Sequence, residues 1–391
     1  MPNYDVAVVG AGPAGSATAA LLAEHGFSVA LLDRARFPRD KPCAEYVSPE
    51  ACHLLDGLLP NGTLAGAHPA RLNGMRIVSP NGTSFEGRFQ SEHGLAIRRS
   101  VLDAMLAEAA SVAGANLLEG ARVESVEPPT AGARRLRIRR GRDRATLTAR
   151  LVVGADGLHS RIAKQLGLTR QGRLRRVAQV THATGVTNMR DVGEMHVCRT
   201  GYVGLAPLGN GLTNVAVVVN AAHALGKPQD WFQSTIDELP ELAARLADAE
   251  FVTPLRGAGP FARGTTRATH DRAVLVGDAA DFFDPFTGEG IYAALHGAEL
   301  AVAQALAPLE SDQLQRRHLR SYDRARRKAF LGKWTVERII GWVVGHPFAL
   351  DHVAVRLQAK RHLADLLVGV TGDFIPARRV LSPAFVGRLV L

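Results

Sequence analysis

Three short, largely apolar runs lead into glycine: Tyr4 to Val9 before Gly10, Leu151 to Val153 before Gly154, and Ala273 to Val276 before Gly277. Continuous apolar runs of this length, bounded by turn residues, predict strands buried on both faces. Behind the first, Ala14 to His25 reads as a helix and Ser28 to Leu32 as a second strand, so the chain begins with a βαβ unit. Arg99 to Ala113 has the period of an amphipathic helix. Arg122–Val126, Arg135–Arg139 and Ala145–Ala149 predict a small antiparallel layer. From about Gly172 to Asn220 alternating strands dominate, including the hairpin-like TGYVGLAPLGNGLTNVAVVVN. Gln229 to Ala249 reads as helix, and the pattern after Gly288 is helical until the tail near Pro376.

This order predicts an α/β protein with a discontinuous Rossmann-like domain. Its pieces are residues 1–70, 98–168 and 271–310. A sheet-rich substrate domain takes 71–97 and 169–270, and a C-terminal helical region takes 311–391.

Composition narrows the classes. Across 391 residues, 46% are hydrophobic, enough for a large core, and 21% are charged, too few for a disordered chain. The apolar stretch Ile339 to Val355 is interrupted by His346, Pro347 and Asp351, so no membrane span is expected. The first residues carry no basic stretch ahead of their apolar run, so no secretory signal is expected. Three cysteines without metal-like spacing suggest a reduced, cytoplasmic protein with no metal site. The net charge of +10 is densest in RRHLRSYDRARRKAFLGK, Arg316 to Lys333. No nucleic-acid recognition module accompanies it. A solvated helix face explains the run; peripheral contact with a membrane surface is the alternative. The sequence does not assign an oligomeric state.

The chemistry begins at VVGAGPAGSATAALLAEHGFSVALLDR. Gly10 permits a tight turn, Gly12 lets backbone N–H groups approach a pyrophosphate, and Gly15 allows close helix–strand packing. Asp33 ends the next strand, where an acid accepts bonds from a ribose with a free 2′-hydroxyl. That suits FAD or NAD. A second stretch, VLVGDAADFFDPFTGEGIYAALHGAELA, favours FAD. Asp278 at a strand end suits ribityl hydroxyls, and Gly288 and Gly290 let backbone approach a flavin ring at a helix N-terminus.

GAGPAG, RRSVLDAML, GADGLHSR and GDAADFFDPFTGEGI occur in an order that resembles the FAD-dependent aromatic hydroxylase and geranylgeranyl reductase superfamily. The resemblance covers roughly residues 1–300. It implies a two-domain fold like that of p-hydroxybenzoate hydroxylase, non-covalent FAD, and NAD(P)H as reductant. It implies that Gly10, Gly12, Pro13, Ala14, Gly15, Asp33 and Arg34 hold the ADP half, with Arg99 and Val123 also contacting FAD. Asp156 and Gly157 sit near the cofactor, Asp156 alternatively serving as a helix cap. Gly277, Asp278, Pro285, Gly288, Glu289, Gly290 and Ile291 flank the ribityl and flavin, Glu289 alternatively being a first-turn acid.

Two stretches bear on the reaction. In RFPRDKPCAEYVSPEA, Lys-Pro-Cys resembles the reductase branch, but Ala44-Glu45-Tyr46 follows where that branch has Gly. TGYVGLAPLG resembles the reductases' Tyr-x-Trp-x-Phe-Pro element with Gly204 and Ala206 in place of the bulky residues. The halogenases' Trp-x-Trp-x-Ile-Pro is absent. Cys43, His182 and His196 are the catalytic candidates. The favoured expectation is an NAD(P)H-dependent monooxygenase hydroxylating a hydrophobic aromatic or polyketide-like small molecule. The alternatives are double-bond reduction of an isoprenoid or lipid, halogenation, or a flavin-free prenyl-binding protein on the same fold.

Overall fold

The computed structural model describes residues 3–90, 92–173 and 175–390. Two eight-stranded sheets organise it. Along the first, the main order is Thr269–His270, Ala273–Leu275, Asp143–Gly154, Tyr4–Val9, Val29–Leu32, Asn116–Leu118. Tyr4–Val9 runs parallel to both Val29–Leu32 and the end of Asp143–Gly154. The predicted strand at Leu151 is the second half of a 12-residue strand. Its first half pairs antiparallel with Arg134–Arg140, which pairs in turn with Ala121–Val126. One strand therefore carries both the antiparallel layer and the parallel core.

Helix Pro13–Glu24 packs between helices Arg99–Val112 and Gly290–Glu310. Its approach to the first strand depends on two glycines. At Gly10, φ is +104° and a Cβ would sit 2.4 Å from the Ala155 carbonyl oxygen. At Gly15 a Cβ would sit 1.8 Å from the Gly10 oxygen, so only hydrogen fits between helix and loop.

The second sheet runs Glu250–Phe251, Arg176–Thr184, Leu212–Asn220, Gly201–Gly209, Gly193–Val197, Gly74–Val78, Ser84–Arg88. The hairpin closes at Asn210 and Gly211, both with positive φ, the geometry an Asn-Gly turn provides. One face buries Val203, Leu205, Val215 and Val217 beneath Trp231, Phe232, Ile236 and Leu242. The other turns Ala178, Met195, Tyr202 and Val218 toward Val336, Val344 and Leu350 of the C-terminal helices. The helix expected over Gln229 to Ala249 is two helices, Pro228–Asp237 and Pro240–Leu246, because Pro240 cannot continue the first. The tail beyond Pro376 adds a further helix, Pro383–Val390, with proline at its first position.

Beneath the second sheet, Glu194 lies within 2.8 Å of His196 Nε2 and accepts two hydrogen bonds from Arg245. Burial opposes the charge, but these partners outweigh it and hold the Glu194 pKa at about 2, below its ordinary 4.5. A depressed carboxyl contributes stability that is full above the unfolded value and lost as pH falls through the folded one. Acid titration monitored by circular dichroism should show stability falling between about pH 4.5 and 2, and Glu194→Gln should flatten that dependence. Leu151 is fully buried at the centre of the first sheet, and Leu151→Ala should cost about 2–5 kcal/mol in urea denaturation.

Candidate active site

A cavity of about 1120 Å³ runs from the βαβ loop to the second sheet. Its far end from that sheet is walled by Asp33, Arg34 and Val123. The Asp33 carboxylate accepts hydrogen bonds from the Ala11 and Ala35 N–H groups, at 2.9 and 2.8 Å, which fixes the loop around it.

The middle of the cavity is cationic. At Gly12 a Cβ would meet nothing nearer than Arg39 Nη2 at 3.7 Å and Arg99 Nη2 at 3.8 Å. The backbone there is open, and two guanidinium groups face it. Arg99 lies at the start of helix Arg99–Val112 and grips Asp103 through Nε and Nη2, at 2.8 and 2.9 Å. Arg39 reaches the same carboxylate at 3.0 Å. Burial works against the Arg99 charge, but Asp103 outweighs it and holds its pKa above the usual arginine range. Across the cavity, Asp278 faces Lys41 Nζ at 3.8 Å. An open backbone approach beside paired arginines fits a pyrophosphate, and the cavity's reach beyond it fits the longer FAD.

Toward the second sheet the cavity passes Pro13, Ala14, Cys43, Pro285, Gly288, Gly290 and Ile291. It then becomes apolar, walled by Met75, Met195, Phe261, Phe282 and Phe286. Asp284 sets the last of these: it accepts from Arg176 Nη1, the Tyr202 hydroxyl and the Phe286 N–H, each at 2.9 to 3.0 Å. Phe286 stands edge-on to Tyr202 with centroids 5.0 Å apart.

Not every expected residue faces this space. Gly10, Asp156 and Gly157 line it, but the Asp156 carboxylate caps the helix Arg161–Gln165 through the Arg161 and Ile162 N–H groups. Gly15 lies under the loop, and a Cβ on Gly277 would strike the Ala14 side chain. Glu289 is buried and turns toward Lys333 on the long helix Arg316–Val344. His196 points to the opposite face of the second sheet, where Glu194 holds it. His182 stands behind the cavity wall, its Nε2 2.7 Å from Glu45 Oε2 and its Nδ1 3.0 Å from Thr253 Oγ1. Arg39, Lys41, Asp103 and Glu45 were not anticipated; Lys41 is the lysine of Lys-Pro-Cys itself, Arg39 and Glu45 flank it, and Asp103 lies one helical turn after Arg99. Among the described residues no His, Cys, Asp and Glu cluster could hold a metal ion.

The loop, the paired arginines and the cavity leading to a second sheet define a dinucleotide-binding flavoprotein. Residues 3–333 match the FAD binding domain family, and the chain belongs to it. It is an FAD-dependent oxidoreductase. The chain is 28% identical to conditioned medium factor receptor 1 of Dictyostelium discoideum, over 94% of this chain and 77% of that one. It is 30% identical to the digeranylgeranylglycerophospholipid reductase of Methanosarcina mazei, over 76% and 74% respectively. Its fold matches that of the myxobacterial chondrochloren halogenase CndH with a TM-score of 0.78 at 22% identity, covering 99% of this chain and 97% of that one.

Since a Cβ at Gly12 meets no protein atom closely, Gly12→Val should fold with wild-type stability yet lose FAD. Absorbance of the purified protein, compared with its melting temperature, checks both halves.

Proposed function

We propose that this enzyme reduces a carbon–carbon double bond in an apolar, isoprenoid-type small molecule, with NAD(P)H as the external electron source. The observation that carries this reading is the place of Cys43. It lines the cavity between the cationic middle and the apolar end. Its carbonyl accepts from Asn214 Nδ2 at 2.9 Å, which ties it to the second sheet.

Reduced FAD, when bound, supplies the hydride. The chain's own groups do the rest. Arg39 and Arg99 hold the cofactor's negative charge, and Met75, Met195, Phe282 and Phe286 exclude water from the alkene. The Cys43 Sγ–H gives a proton to the second alkene carbon and regains one from solvent. The similarity to digeranylgeranylglycerophospholipid reductases supports the same choice.

The second reading is the one the sequence favoured, hydroxylation of an aromatic ring, because Gly204 and Ala206 leave room beside the cavity. Met195 takes up part of that room: its Sδ lies 3.2 Å from where a Cβ on residue 204 would sit. A flexible thioether suits a chain-like substrate that slides along it.

The readings separate by mass. Incubated anaerobically with NAD(P)H and a polyprenyl phospholipid, the FAD-loaded protein should yield a product with two added hydrogens per reduced bond. In labelled oxygen with phenolic substrates, incorporation of one labelled atom would favour hydroxylation instead. Cys43→Ser should retain FAD and its reduction by NAD(P)H but slow double-bond reduction by about 10²-fold or more.

A further inference from the structure

The helix Arg316–Val344 has two unlike faces. Inward, Val336, Ile340 and Val343 join the cluster that contains Phe282 and Phe286, so the helix roofs the apolar end of the cavity. Outward, its first half presents Arg316, Arg317, Arg320, Arg324, Arg327 and Lys328 to solvent. Among the described residues no carboxylate pairs with Arg320, Arg324, Arg327 or Lys328; the helix's two acids are engaged elsewhere. Asp323 accepts from the Ala268 N–H, and Glu337 is held against Glu289.

Along the same outer face the second half, apart from the exposed Arg338, becomes apolar. Leu331 and Ile339 are about half exposed, and Trp342 is 58% exposed, stacked on His346 at 4.3 Å. The next helix, Pro347–Ala359, carries Phe348 in its first turn, and that side chain is 91% exposed. Large aromatic side chains left in water at adjacent helix ends form a patch that needs a partner.

We propose that this outer face rests on an anionic lipid bilayer. The basic stretch and Leu331, Ile339 and Trp342 share one face of a single helix about 43 Å long, and Phe348 follows in the first turn of the next helix. An anionic bilayer meets both, offering headgroup charge to the arginines and an acyl boundary to Trp342 and Phe348. A continuous run of cations without exposed acids matches a uniformly negative surface. Among the described residues no helix is long and apolar enough to cross a membrane, so the contact is with the surface alone. The inner face would then place the cavity's apolar end directly beneath the lipid contact. The surface contact does not rest on the proposed reaction, and its test uses no substrate.

The FAD-loaded protein is to be sedimented with phosphatidylcholine vesicles and with vesicles of three parts phosphatidylcholine to one part phosphatidylglycerol. Binding should be confined largely to the anionic vesicles and should fall as salt rises. The double variant Trp342→Ser/Phe348→Ser should lower the partition constant about tenfold or more. The triple variant Arg320→Glu/Arg324→Glu/Arg327→Glu should abolish the preference for phosphatidylglycerol. FAD content and melting temperature report whether each variant is folded. The proposal is overturned if wild-type protein does not sediment with phosphatidylglycerol vesicles, or if the double variant binds as wild type does. It is equally overturned if Trp342→Ser instead dissociates a dimer, which would make the patch an interface between two copies.

Discussion

Asp103 is wholly buried and sits between two arginines, and the cofactor end of the molecule depends on it. Arg39 and Arg99 face Gly12 together, and without a shared counter-ion their charges would repel inside a cavity of low polarity. The carboxylate offsets one charge of the pair and locks both guanidinium planes in position. Removing one partner of such a buried group typically costs about 3–5 kcal/mol, because a charge is left without compensation. The site is therefore built for an anion before any anion arrives, and binding requires little rearrangement of the arginines.

A second carboxylate joins this site to the other sheet. Glu45 adopts φ of +60°, a left-handed conformation that favours glycine. Its side chain accepts the Arg99 N–H at 2.9 Å, approaches His182 Nε2 at 2.7 Å and accepts from Asn214 Nδ2 at 3.2 Å. One residue thus connects the helix that carries Arg99, two strands of the second sheet and the loop that carries Cys43. The strain of the backbone is offset by bonds that no glycine could make. His182 belongs to this scaffold, holding the acid two residues after Cys43.

The parts of the molecule legible in the sequence are those whose meaning is local. Gly10 to Gly15, Asp33 and the stretch from Val274 to Ala301 each announce a strand, a tight turn and a helix start within a few residues, and the structure builds all three features. The roles of Arg39, Asp103 and Glu45 were not legible, because each is defined by partners far away in the chain. The facing of His196 was hidden for a different reason. Both faces of its strand are buried, one under the helices Pro228–Asp237 and Pro240–Leu246, the other under the C-terminal helices. Alternation then gives no hydrophobic contrast from which to read the phase. The break at Pro240 was visible in the letters, yet the apolar period on either side concealed it.

The pairing of Tyr4–Val9 with Asp143–Gly154, and of that strand with Ala273–Leu275, has a consequence for how the molecule comes into being. The first strand emerges from the ribosome early, but its neighbour on one side follows only after a long stretch of chain. The far side of the sheet is closed later still, by residues beyond 268. Parallel pairings between such distant segments form slowly, since the loops between them must be closed before any contact rewards the closure. During synthesis the opening βαβ unit waits with an unpaired, mostly apolar edge, the kind of edge that invites association with other chains. The second sheet is drawn mostly from the interval between those pairings, with a near-continuous antiparallel run from residue 176 to 220. Its local hairpins can close while the first sheet is still incomplete.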